Sequence, residues 1–322
     1  YYIMIFFILI IFIFIFLVIK FFIKDNYSNN NKITFKSLNY NNKDNETIII
    51  TKYRTDLLGA FIQGILNTII INIDKNVLIK LDDTLIKNFE SFEKQNVDKL
   101  KGKNKKVNNI WETVGTETKD QHINYRYIIL NLLFKYNYNY NDNIKYKNIS
   151  TTNSNFDLCK LSLKERTDKI NNIKFKELSY NIRENLKKFI PNFIKNNNII
   201  TIHFRAGEIT NMSNRYIHSK EYEKLLTNLK NKYNLNIYVL ISDLPPIELD
   251  DLNTFKKYNC IILTSKECNT IESLSIYINS FIFVMARSSF SYVASLLRDH
   301  DNCITFYREF WHKKPHSNIL NW

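Results

Sequence analysis

His203, Arg205, Gly207 and Glu208 fall within a six-residue window directly after the β-branched run Ile199–Ile202. Three of them suit different chemical tasks. The planar guanidinium of Arg205 can make two parallel, charge-assisted hydrogen bonds to a phosphate. Gly207 lets a backbone approach a ligand closely, and Glu208 can take a proton from a reacting hydroxyl. A plain strand end carrying a surface ion pair is the other reading of these residues. Ser242 and Asp243 close a second apolar run, Asn236–Ile241. There Asp243 either accepts hydrogen bonds from a sugar or ribose hydroxyl or serves as a turn residue. A third cluster, Arg287-Ser288-Ser289-Phe290, stands between the apolar runs Phe281–Met285 and Phe290–Arg298. Serines at the start of a helix either cap it or meet a phosphate, because the first N–H groups and the dipole both favour an anion. Taken together the clusters suit a nucleoside diphosphate, with Arg205 and the Ser289 helix end on the phosphates and Asp243 nearby.

The elements that must position these residues alternate. Strands are expected at Ile199–Ile209 (turning polar after Phe204), Asn236–Ile241, Cys260–Thr264 and Phe281–Met285, with Cys303–Tyr307 as the last. Helices are expected at Lys220–Tyr233, Ile271–Asn279 and Phe290–Arg298 between them. Such alternation predicts a parallel sheet covered on both faces, which brings the polar strand ends to one edge, where open α/β sheets bind ligands. Upstream, a strand at Thr47–Lys52, a helix within Thr55–Asn72 and a strand at Asn76–Leu81 form a βαβ opening. A second amphipathic helix is expected at His122–Tyr136, and a helix at Leu178–Ile194 interrupted by Pro191. Phe89–Asn109 reads as charged helix or loop, and the Tyr/Asn repeat Tyr136–Lys147 as a surface loop.

Composition narrows the partners. Lys plus Arg total 45 against 31 for Asp plus Glu, a balance of +14 in 322 residues. That charge favours anionic partners, yet no zinc-finger, RNA-recognition or helix-turn-helix signature accompanies it, so no nucleic-acid partner is expected. GxGxxG and P-loop patterns are absent as well. The four cysteines, Cys159, Cys260, Cys268 and Cys303, show no CxxC spacing, which argues against a zinc site. They are free thiols or form one or two disulfides, Cys260–Cys268 being the first pair to test. The acidic pairs Asp82-Asp83 and Asp250-Asp251 read as turn and capping residues. No metal is expected, because Arg and a helix dipole can neutralise a leaving diphosphate alone.

Residues 1–23 are almost wholly apolar and aromatic, interrupted only by Lys20. That is long enough to span a bilayer as a helix, longer than a secretory signal's apolar region, and followed by no small-residue cleavage site. A transmembrane anchor at 1–23 and a flexible polar stem at 24–46 are therefore expected. Lys20, Lys24 and Lys32 favour a cytoplasmic side downstream. Sequons at Asn26, Asn45, Asn148 and Asn211 are compatible with a lumenal one.

The segment His203-Phe204-Arg205-Ala206-Gly207-Glu208 resembles the HxRxGD-type motif of the fucosyltransferase superfamily of GT-B glycosyltransferases, which includes α1,2-, α1,6- and protein O-fucosyltransferases. Tyr238–Asp243 is similar to that family's second motif, and Arg287-Ser288-Ser289-Phe290-Ser291 through Ala294 to its third. Tyr53–Asn67, with Gly59 and Gln63, resembles the first glycine-containing turn and helix. The ending Phe306–Trp322, with Phe310-Trp311-His312, looks like the terminal segment of some members. The resemblance implies an α/β fold of GT-B type, with two Rossmann-like domains facing a cleft behind the transmembrane helix. An acceptor-side domain would span 47–172 and a nucleotide-sugar domain 173–322. It also implies an inverting, metal-independent transfer of fucose from GDP-fucose to a glycan or protein hydroxyl, on the lumenal side of the Golgi or ER. Arg205 would bind the diphosphate; His203, Gly207, Ser242, Asp243, Arg287, Ser288, Ser289 and Phe290 would complete the donor site. Glu208 is the first candidate base, with Asp56 or another acid of the N-terminal domain as alternatives. The chain departs from the family at Ala206, where many members carry a second Arg, and at Glu208, where many carry Asp. Another nucleotide sugar, or a tethered glycan-binding protein without turnover, are the competing readings.

Overall fold

The computed structural model describes residues 46–52, 58–75, 77–81, 125–126, 128–130, 132–133, 146–150, 157–206, 215–242 and 249–322. The expected anchor and nearly all of the stem lie outside these residues, as do Asp56, Asp82, Asp83, Gly207, Glu208, Asp243 and the segment 89–109. Among the described residues no helix is long and apolar enough to cross a membrane.

Two parallel sheets form the frame. In the first, β1 (Glu46–Lys52) is flanked by β2 (Val77–Leu81) and β3 (Tyr146–Ser150), giving the order β2-β1-β3. Helix α1 (Leu58–Ile71) is the crossover from β1 to β2, as the βαβ reading expects. The strand β3 begins inside the Tyr/Asn repeat that reads as a loop. With Ile149 its one β-branched residue, it does not stand out from the compositional drift around it.

The second sheet has six parallel strands in the order β6-β5-β4-β7-β8-β9. They are β4 (Ile200–Arg205), β5 (Ile237–Ser242), β6 (Ile261–Leu263), β7 (Ile282–Val284), β8 (Ile304–Tyr307) and β9 (Leu320–Asn321). β9 adds a strand beyond Cys303–Tyr307, where the last one is expected. Seven further α-helices are found among the described residues: α2 (Asp157–Lys160), α3 (Leu163–Ile170), α4 (Ile173–Leu186), α5 (Glu223–Lys232), α6 (Leu249–Lys257), α7 (Thr270–Asn279) and α8 (Ser289–Leu297). Residues 125–126, 128–130 and 132–133 are also helical, within the span expected at His122–Tyr136.

Two local signals correct the expected boundaries. Asn172 accepts the Lys174 N–H and starts α4 five residues before Leu178. Ser162 and Glu165 exchange the reciprocal bonds of a capping box and start α3, the Ser-x-x-Glu pattern that begins many helices. Pro191 then lies beyond α4 rather than inside it. Asp251 is not a turn residue. It is buried in α6, accepts the Ser219 N–H at 3.0 Å and the Tyr216 hydroxyl, and lies 3.3 Å from His218. All four cysteines are free thiols.

Packing follows the period of the strands. Every residue of β4 is buried, which requires cover on both faces. Ile200, Ile202 and Phe204 enter the core under α5 and α6. Thr201, His203 and Arg205 alternate with them and so take the opposite face, where α7 and α8 lie. Thr201 there meets the Ser280 hydroxyl at 2.8 Å. Helix α1 is mostly apolar, and thirteen of its fourteen residues are buried, Gln63, Asn67 and Thr68 among them, so it is an interior helix that joins the α4–α7–α8 core.

Arg298, 2% exposed, ties the amino ends of β7 and β8 to the end of α7. It donates to Thr305 Oγ1 at 2.8 Å and to the carbonyls of Ser280 (2.7 Å), Phe281 and Ile304 (both 3.1 Å), and also of Tyr277. Burial pushes its pKa down to about 10. The charge is held by carbonyl oxygens, among them those of Tyr277, Ile278 and Ser280 at the carboxyl end of α7, where the helix dipole is negative.

Candidate active site at the carboxyl edge of the six-stranded sheet

The strand order reverses between β4 and β7. Crossovers leave β4 toward β5 and β6 on one side, and β7 toward β8 and β9 on the other. At such a switch point the loops part and open a crevice outside the carboxyl ends, where doubly wound sheets bind ligands. His203 and Arg205 of the first sequence cluster lie here in the carboxyl half of β4, and the third cluster follows β7.

Arg205 ends β4, paired in register with Ser242 at the end of β5. It is 8% exposed, so its charge is partly desolvated and an anion's attraction to it is weakly screened. It shares a face with His203, about 6.6 Å nearer the edge at two residues' rise. His203 is fully inside. Its ring stacks on Tyr277 at 5.1 Å, meets Phe290 edge-on at 6.1 Å, and its Nδ1 lies 2.5 Å from Ser291 Oγ. That serine oxygen also accepts the Ala286 N–H at 3.1 Å. Burial, helped by the positive charge of Arg205, pushes the His203 pKa down to about 3. His203 is thus a neutral pin that fixes the first turn of α8 against β4.

The two serines of the third cluster divide their tasks. Ser288 is the N-cap of α8, in extended backbone (φ −144°, ψ 140°), and accepts the Phe290 N–H at 3.2 Å. Ser289, half-buried, opens the helix with its hydroxyl 3.2 Å from His312 Nε2. Arg287 bends toward the C-terminal segment and donates from Nε to the Glu309 carbonyl at 3.1 Å. Phe290 packs edge-on against His203 and Tyr277.

Gly59 and Gln63, expected in an acceptor-side turn and helix, both lie in the first turns of α1 and reach this same place. A Cβ on Gly59 would stand 2.6 Å from the Phe290 nitrogen and 2.7 Å from its Cα. Only a glycine lets α1 approach the start of α8 this closely. One turn on, the Gln63 side-chain amide meets His312 Nδ1 at 3.2 Å, fully buried.

His312 is the residue that sequence reasoning left without a role. It joins Ser289 to Gln63 and takes the Trp311 indole N–H at 2.9 Å. Tyr292 covers its ring at 4.8 Å, and the Tyr307 hydroxyl donates to its carbonyl at 2.7 Å. The Phe310-Trp311-His312 triplet is visible in the sequence, but nothing local ties it to residues 23 and 249 positions away. Trp311 is 37% exposed, and the Arg215 guanidinium lies 4.9 Å over its ring. Among the described residues no group of three or more His, Cys, Asp or Glu is placed to hold a metal.

No protein-family model matches the chain, and no curated protein is found similar to it. Among solved structures it is similar to the E. coli heptosyltransferase WaaC with ADP-2-deoxy-2-fluoro heptose, with a TM-score of 0.38 and 8% identity over 86% of this chain and 92% of that one. It is also similar to POFUT1 in complex with GDP-fucose, with a TM-score of 0.35 and 11% identity over 81% and 96% of the two chains. The complex of POFUT1 with GDP gives 0.33 and 11% over the same shares. The functional reading rests on the sheet topology and on the side chains at its carboxyl edge.

Proposed function

We propose that this chain is an inverting glycosyltransferase that moves fucose from GDP-fucose to a glycan or protein hydroxyl. One observation carries the proposal. At the switch point of a doubly wound parallel sheet, a partly desolvated arginine ends one strand while a serine-capped helix begins after the next. That combination suits a diphosphate. The motif resemblance around Arg205 and Ser288–Phe290 supports a GDP-sugar in particular.

The reaction would be a single displacement at the anomeric carbon. The acceptor oxygen forms the new bond as the bond to the diphosphate breaks. Arg205 and the start of α8 stabilise the negative charge growing on the leaving diphosphate. Glu208 takes the acceptor proton. No metal is assigned a step. His203 and Gly59 serve by holding the start of α8 where the leaving group needs it. The apolar residues 1–23 support membrane anchoring, with the catalytic part in the Golgi or ER lumen.

Arg205→Ala should abolish transfer while the protein still unfolds cooperatively, and turnover at the wild-type rate would sink the assignment. A thermal-shift series with GDP, UDP, CDP and GDP-fucose, with and without EDTA, tests the donor, because a ligand bound only by the native state raises its melting temperature. Stabilisation by guanine nucleotides alone, indifferent to EDTA, is the expected result. Stabilisation by UDP would move the donor to another sugar. Ala206 favours one further reading, a tethered glycan binder without turnover. It is fully buried where many members of the resembled family carry a second arginine.

A further inference from the structure

We propose that Trp311 and His312 are positioning residues for Ser289, keeping its hydroxyl hydrogen available for a phosphate oxygen of the donor. The inference rests on the diphosphate reading of the site above and extends it to the residues behind the binding surface.

A tryptophan indole can only donate. Its N–H lies 2.9 Å from His312 Nε2, so that nitrogen is the acceptor and carries no hydrogen of its own. A neutral imidazole then bears its hydrogen on Nδ1, which faces the buried amide of Gln63 at 3.2 Å. The structure sets Gln63 Nε2 at this contact and leaves the buried Oε1 without a hydrogen-bond partner. Turning the amide over puts the oxygen on the Nδ1 hydrogen, the orientation that the donor-only indole assigns. The Ser289 hydroxyl lies 3.2 Å from the same Nε2. Both Trp311 and Ser289 therefore address one lone pair.

The consequence is energetic. His312 is completely buried, and a buried ring nitrogen left without a partner is costly. With the indole N–H in place, Ser289 can turn its hydrogen to an incoming anion while Nε2 stays satisfied. Without it, the Ser289 hydroxyl, 3.2 Å away, is drawn to satisfy Nε2. Its hydrogen is then committed inward, and its lone pairs face a negatively charged ligand.

A double-mutant cycle on GDP affinity, measured by calorimetry on the full chain, tests this. Trp311→Phe keeps an aromatic ring beneath Arg215 and removes the donor. It should weaken GDP binding about tenfold, as should Ser289→Ala, whereas the double variant should bind no more weakly than Ser289→Ala alone. Wild-type affinity in Trp311→Phe would overturn the proposal, and so would an equal loss in the Ser289→Ala background. If the wild type binds no nucleoside diphosphate, the glycosyltransferase reading fails. The inference then stands or falls on long-range proton–nitrogen NMR of the free protein at neutral pH. An unprotonated His312 Nε2 supports the arrangement, and a hydrogen on Nε2 overturns it.

Discussion

Replacing Gly59 by alanine adds a single methyl group at the place where α1 meets the start of α8. Its carbon would stand 2.6 Å from the Phe290 nitrogen, 2.7 Å from the Phe290 Cα and 2.9 Å from its Cβ. Ordinary contacts between such atoms lie at about 3.5–4.0 Å, so the helices must part by roughly 1 Å. Two of the three atoms are backbone, so no rotamer change relieves the overlap. Overpacking of this kind costs about 1–3 kcal/mol. Alanine in a helix returns up to about 1 kcal/mol relative to glycine, and less here, at the second residue of α1. The expected net loss is about 1–2 kcal/mol, read as a lower urea midpoint with an unchanged slope. The displaced turn carries Ser288, Ser289 and Phe290, so GDP affinity should fall with stability. A Gly59→Ala protein with both the wild-type midpoint and the wild-type affinity would refute the close crossing and the argument built on it.

Arg298→Lys keeps the charge but cannot span the carbonyls of Ser280, Phe281 and Ile304 together with Thr305. It should cost about 3 kcal/mol or more, because buried acceptors lose their donor, and equilibrium unfolding would show it; a loss under 1 kcal/mol would contradict the clamp. Acid should destabilise the fold well before the carboxylates titrate. His203 and His300 are both pushed down to about 3, chiefly by burial, whereas in the unfolded chain they titrate near 6.5. The unfolded state then binds more protons between these values, so stability is intact above about pH 6.5 and falls as pH drops toward 3. From pH 6 to 4 each histidine accounts for roughly 2–3 kcal/mol by this linkage. Urea midpoints across that range would measure it, and a flat profile would exclude neutral burial of the pair.

The α/β class was legible because its signal is local. Alternating apolar runs and amphipathic stretches mark most strands and helices of the six-stranded sheet within a residue or two. Where the signal was short or masked by composition, elements were missed. Helix α6 begins at Leu249 and takes in the acidic pair that reads as turn and capping residues, and β9 has only two residues. The site was legible as three clusters at strand ends, but the division of labour within it was not. The sequence puts both His203 and Arg205 in the donor site, the first in support of the loop or the nucleotide and the second on the phosphates. The strand's two-residue period puts them on one face, and only the packing of Tyr277, Phe290 and Ser291 makes the first a buried pin and leaves the second at the edge.

What the sequence by itself determined is the set of elements and the residue types at their ends, since periodicity and capping are written in stretches of a few residues. The tertiary structure decided which ends meet. Gln63 reaches His312 across 249 positions, and Gly59 is needed only because α8 lies against it. Such partners are chosen when whole faces bury their apolar surface together. Any one of these residues carries too little free energy to specify that choice alone.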